Sequence, residues 1–215
     1  STEDSASVAY LRGELAQAEV AFAEVEKLGH PDGALNLARV YIEQGTVQDR
    51  AIAALERAAK FQPPAPSWSV AWFTGVVNKQ NGYLDEAIAN FKSILEAQDP
   101  ALKERGFDFS KDYRLLNELG QTLIERARQE RGGERKAARE QRLREAAGYF
   151  QRALTLDPEN AAAHYNLELL SRELGDAGAA TVHATAFERY RADDNARDRA
   201  VQIARVDGRI SREID

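Results

Sequence analysis

Few residues in this 215-residue chain have types and spacing suited to chemistry. Three histidines, His30, His164 and His183, are scattered along it, and His164 has a second donor at helical spacing, Glu168, four positions on. That spacing shares one helix face and permits a two-point metal contact. Cysteine is absent, which excludes disulfides, thiolate metal sites, cysteine nucleophiles and thioether-attached haem within this chain. Neither a histidine pair in zinc-protease register nor a glycine-rich phosphate loop occurs. The carboxylates of Glu14, Glu24, Glu86 and Glu145 have Arg or Lys neighbours at helical spacing, as solvated faces do. Paired acids with separated pKa values and an activated nucleophile are both missing. The expectation is a protein that is not an enzyme and carries no metal or cofactor.

The other chemical feature is charge. Between positions 126 and 144 stand Arg126, Arg128, Arg131, Arg135, Lys136, Arg139, Arg142 and Arg144, against Glu130, Glu134 and Glu140. The segment nets +5 on a chain of −6. It suits an acidic protein surface, a phosphate-bearing polymer or an anionic membrane surface. It equally suits a solvated hairpin laced by Glu–Arg pairs. Specific nucleic-acid binding is not expected, because no aromatic residues interleave with the cations to stack on bases.

The elements that must position these residues are helices. Hydrophobic residues make up 43% and charged residues 30%, a globular rather than a disordered balance. No apolar run reaches the roughly eighteen residues of a membrane-spanning helix, so no transmembrane segment is expected. Methionine is absent even at position 1, so Ser1 reads as a processed end or a cut from something longer. Apolar residues recur at three and four positions, and breaks fall at Gly29-His30-Pro31, Gly45, Pro63-Pro64-Ala65-Pro66, Asn81-Gly82, Pro100, Gly106, Gly132-Gly133, Asp157-Pro158 and Gly175. The fold class predicted is all-α.

The breaks are regular because the segments repeat. Gly13 to Ala18, then Phe22, Val25, Leu28 and Pro31, returns as Gly82 to Ala87, then Phe91, Ile94, Leu95 and Pro100. It returns again as Ala146, Phe150, Ala153, Leu156 and Pro158, and more loosely as Gly45, Ala51, Leu55, Ala58 and Pro63. A small residue followed four later by a large one lets a neighbouring helix approach and fills the gap beside it. Partner segments precede these helices: Leu37-Ala38, Trp72-Phe73 with Gly75, Leu119-Gly120 and Tyr165-Asn166-Leu167.

In these residues the chain resembles the tetratricopeptide repeat (TPR) family, whose unit of about 34 residues is a helix–turn–helix. The resemblance implies a right-handed superhelix. Residues 1–31 form a partial first repeat and 31–192 the array, with units at about 31–64, 66–100, 111–158 and 160–192. Residues 193–215 hold a capping helix and tail, led by Asp193-Asp194. Glu168 stands where a small residue is usual, and Ala184 and Ala192 replace Phe and Pro. His164 falls in a large-residue slot, which explains it by packing.

Two irregularities interrupt the array. Gly120 and Ala146 are 26 positions apart where Gly75 and Ala87 are 12 apart, an excess of two heptads. Seven extra residues in each helix would give a protruding hairpin over about 112–157, with Gly132-Gly133 at its tip. The connection Gln98–Ser110 is long, and its Phe107 and Phe109 are expected to plug a gap between units.

The family implies a concave groove that holds a peptide or partner helix. Carried over, its positions are Leu35, Asn36, Arg39 and Ile42; Trp72, Phe73, Val76 and Lys79; Arg114, Asn117, Gln121 and Glu125; and Tyr165, Asn166, Leu169 and Arg172. Aromatics would supply area, amides would fix a peptide backbone and Arg would clamp a carboxylate. Trp72, Phe73 and Tyr165 serve equally as packing between repeats. The order of the family's Lys/Asn/Arg carboxylate clamp is not reproduced. The alternative is self-assembly into a ring or filament through repeat ends or the basic hairpin. More narrowly, Trp72 to Gly82, Gly106 to Tyr113 and Tyr190 to Ala196 resemble bacterial TPR domains attached to multihaem c-type cytochromes. That similarity implies an exported protein, periplasmic or extracellular, whose repeats dock an electron-transfer partner.

Overall fold

A computed structural model describes residues 2–45, 48–97, 99–106 and 108–191. Among these residues all regular structure is helical, as the periodicity predicts. The proposed cap helix, with Asp193, Asp194, Arg197, Asp198, Arg199 and Arg205, lies outside the described residues, as do Gln98, Phe107 and Ala192.

The chain divides into two compact units, Ser1–Phe109 and Ser110–Asp215. The first contains α1 (Thr2–Leu11), α2 (Leu15–Lys27), α3 (Pro31–Gln44), α4 (Gln48–Lys60), α5 (Ser67–Gln80), α6 (Leu84–Leu95) and the short α7 (Pro100–Glu104). Helices α1 to α6 pack as three consecutive antiparallel pairs. Residues 1–31, read above as a partial repeat, hold the first pair. Small residues let the backbones approach: a Cβ at Gly33 would lie 2.3 Å from the Glu26 amide nitrogen, so α2 and α3 touch there without a side chain between them. Ala6, Ala18, Phe22, Leu37, Ala38, Ala51, Leu55 and Val77 form the core around these contacts. Pro31 opens α3, where its missing N–H costs nothing, and Gly45 closes it at φ 72°.

The second unit contains α8 (Tyr113–Gln129), α9 (Lys136–Leu156), α10 (Ala161–Glu173) and α11 (177–191). Asp112 caps α8 by accepting from the Arg114 and Leu115 amides at 2.9 and 3.3 Å. Asn160 caps α10 by accepting from the Ala163 amide at 2.9 Å. Leu116, Leu119 and Leu123 of α8 and Leu143 and Phe150 of α9 are buried where those two helices pack.

The extra fourteen residues do not divide equally, contrary to the expectation of seven per helix. Compared with α5 and α6, α8 gains four residues beyond its glycine, α9 gains seven before its alanine, and the turn takes three. The reason lies at Glu130, which leaves helical angles at ψ 95° and ends α8 as its carboxylate is drawn into an arginine cluster. The long connection is also more structured than a loop, since it contains α7 and a 3-10 turn, Phe109–Lys111. Phe109 packs on Trp68 with ring centroids 6.0 Å apart.

Candidate functional site

The first helix of each pair carries the family-implied groove positions. In the first unit α1, α3 and α5 bring Tyr10, Arg39 and Phe73 together, with the Arg39 guanidinium carbon 4.7 Å from the Tyr10 ring centre and 5.8 Å from that of Phe73. Asn36 accepts from Arg39 at 3.0 Å and donates to the Asp32 carbonyl at 2.9 Å, so its amide orients the guanidinium. Burial, then the nearby Glu43 carboxylate working against Arg39, raises the Tyr10 phenol above its ordinary pKa. Leu35 packs into the core beside Val70. Trp72 turns toward α6, its ring 5.4 Å from that of Phe91. Val76 and Lys79 are half-buried.

In the second unit α8 and α10 form the walls of an open groove of about 240 Å³. Gln121, Ile124, Glu125 and Arg128 line one side, and Tyr165, Asn166 and Leu169 the other. Tyr165 is 44% exposed, and its ring is backed by Phe187 at 5.2 Å. Arg128 pairs with Glu173 at 3.5 Å. Asn117 and Asn166 are buried: Asn117 donates to Asn160 at 3.1 Å, tying α8 to the α10 cap, and Asn166 donates to the Ala162 carbonyl at 2.8 Å. Arg114 is exposed, and Arg172 pairs with Glu168 along its own helix.

His164 meets His183 rather than completing a metal pair with Glu168. Their Nδ1 atoms are 3.0 Å apart, and His164 Nε2 lies 2.9 Å from the Pro158 carbonyl oxygen. A carbonyl only accepts, so Nε2 carries the His164 proton, His164 Nδ1 accepts, and His183 Nδ1 donates. Burial, then repulsion from His164 whenever that ring is also protonated, holds the His183 imidazole below its ordinary pKa. No group of three or more His, Asp or Glu among the described residues is placed to hold a metal, and no described helix is long and apolar enough to cross a membrane.

The basic segment is organised around one carboxylate. Glu130 is only 6% exposed. Its Oε1 lies 3.1 Å from Arg126 Nη1 and 3.6 Å from Arg142 Nη2, and its Oε2 lies 3.0 Å from Arg135 Nη1. Arg139 donates to the Glu130 carbonyl at 3.2 Å. The hydrogen bond from Arg135, then the Arg126 and Arg135 charges, outweighs desolvation and holds the carboxyl below the usual range.

Sequence reasoning missed Tyr10 and the burial of Glu130. Tyr10 was visible as a large residue in the helix preceding the first Gly-x-x-x-x-Ala segment. Nothing in the charge pattern distinguishes Glu130 from Glu134.

No family model matches this chain, and no curated protein matches it. Solved structures do. A crystal structure of MamA superposes with a TM-score of 0.64 at 12% identity, covering 89% of this chain and 96% of that one. MamA MSR-1 gives 0.61 at 20% identity, covering 90% and 96%, and a double mutant of MamA RS-1 gives 0.64 at 15%, covering 90% and 94%. These MamA structures lend no support to the narrower likeness to cytochrome-associated repeat domains. At this identity the likeness is one of fold: this chain shares the all-α helical-repeat fold of MamA.

Proposed function

We propose that this protein is a non-enzymatic scaffold that holds a peptide or partner protein against the first helices of its repeats. The observation that carries the reading is the α8–α10 groove, where an exposed aromatic ring lies beside polar groups that suit a peptide backbone. Tyr165 offers a rigid face because Phe187 supports it from behind, while Gln121 presents an amide and Glu125 and Arg128 present opposite charges. Aromatic anchors beside a polar rim are how peptide grooves obtain both area and register.

The test is capture from native extract by the wild type and by Tyr165→Ala/Gln121→Ala, with circular dichroism on both. A discrete partner lost by the variant is expected, with its affinity reduced by about tenfold or more. A partner retained in full by the folded variant refutes the groove reading. Self-association is a second reading, favoured by Leu11, Val20 and Leu28, apolar residues that the first helix pair leaves 54%, 66% and 68% exposed. Light scattering separates the two, because only self-association makes the mass climb with concentration.

A further inference from the structure

Beyond the groove, the turn of the α8–α9 hairpin holds more cation than packing needs. The buried Glu130 carboxylate is already matched by Arg126 and Arg142, whose side chains are 17% and 31% exposed, and Arg135 adds a third guanidinium while staying 60% exposed. Exposed Arg131 makes no ion pair or side-chain hydrogen bond among the described residues. Lys136 and Arg144 share Glu140 at 3.8 and 3.6 Å, too long for hydrogen bonds and worth little in water. Against these cations Glu134 is the one exposed carboxylate between positions 130 and 139. The only apolar side chains in that stretch are the methyl groups of Ala137 and Ala138. The surface therefore has neither the aromatic rings that stack on bases nor the large apolar groups that anchor in lipid.

We propose that this turn is a docking surface for an acidic protein segment, with Glu130 as the internal counter-ion that positions its arginines. Arg135 spends one nitrogen on Glu130 and keeps its remaining N–H donors for solvent or a ligand, and the guanidinium fork matches a carboxylate in two-point geometry. Fixing Arg126, Arg135 and Arg142 on one buried carboxylate reduces the side-chain entropy lost when an acidic partner is bound.

The experiment uses the full chain and a fluorescein-labelled oligoglutamate peptide, followed by anisotropy at low and moderate salt. A single-stranded oligodeoxynucleotide of the same charge and phosphatidylserine vesicles run beside it. The expected result is saturable peptide binding that weakens with salt and falls about tenfold in Arg131→Gln/Arg135→Gln/Lys136→Gln. Arg131→Gln/Lys136→Gln/Arg144→Gln leaves every Glu130 contact in place and is expected to show a similar loss, which keeps the test valid if the first variant fails to fold. Glu130→Gln, which raises the segment's net positive charge, is expected to bind more weakly than the wild type because its arginines lose the carboxylate that positions them. Equal or tighter binding by that variant overturns the positioning role. Peptide binding unchanged in the second triple variant overturns the proposal, as does tighter binding of the oligonucleotide or the vesicles than of the peptide.

Discussion

Placing the same substitution at two glycines should shift stability in opposite directions. Gly148 lies within α9, and a Cβ built there meets nothing within 4 Å. Gly148→Ala should therefore show only the backbone advantage of alanine in a helix, about 0.5–1 kcal/mol of stabilisation. Gly120 lies within α8, and its Cβ would meet three ring carbons of Phe150 at 2.6, 2.7 and 2.9 Å. Ordinary carbon contacts begin near about 3.5 Å, and Phe150 is 0% exposed, so the ring has no open space to enter. Overpacking of this kind costs about 1–3 kcal/mol. The helix-propensity gain is common to both variants, so the gap between them reports the clash, about 1–3 kcal/mol or roughly 2–12 °C in Tm for a chain of this size. Thermal and urea unfolding followed by far-UV circular dichroism measure it. Repeating Gly120→Ala in a Phe150→Leu background should remove at least half of the penalty. If Gly120→Ala stabilises as much as Gly148→Ala, α8 and α9 do not approach through this glycine and the packing argument fails.

Two further outcomes follow from local geometry. Asp112→Ala removes the acceptor for two α8 amides and should cost about 1 kcal/mol, with Asp112→Asn recovering most of it, as urea midpoints would show. The folded state favours neutral His183, so this residue's contribution is full above the ordinary histidine value near 6.5 and is lost as pH falls through the lowered one. Urea midpoints of the wild type should drop across that window, whereas those of His183→Gln should change less; parallel curves would remove His183 from the explanation.

The periodicity of apolar residues and the spacing of glycine and proline determined the all-α class, the pairing of helices and most of the core, because a helix can bury only one face and a turn needs residues that tolerate it. The small–large rule was legible within each second helix, as Ala87 before Phe91 and Ala146 before Phe150, but only the tertiary structure set Gly75 against Phe91 and Gly120 against Phe150. Groove membership was legible only as a helix face. Tertiary structure decided that Trp72 turns to Phe91 while Tyr165 stays open over Phe187, since one face of a helix meets both the core and the groove at its margins. It also joined His164 to His183 across nineteen residues and buried Glu130 beneath arginines from both arms of a hairpin. Sequence counts charges along the chain, but the energy of a charge depends on which neighbours fold around it and how much water they exclude.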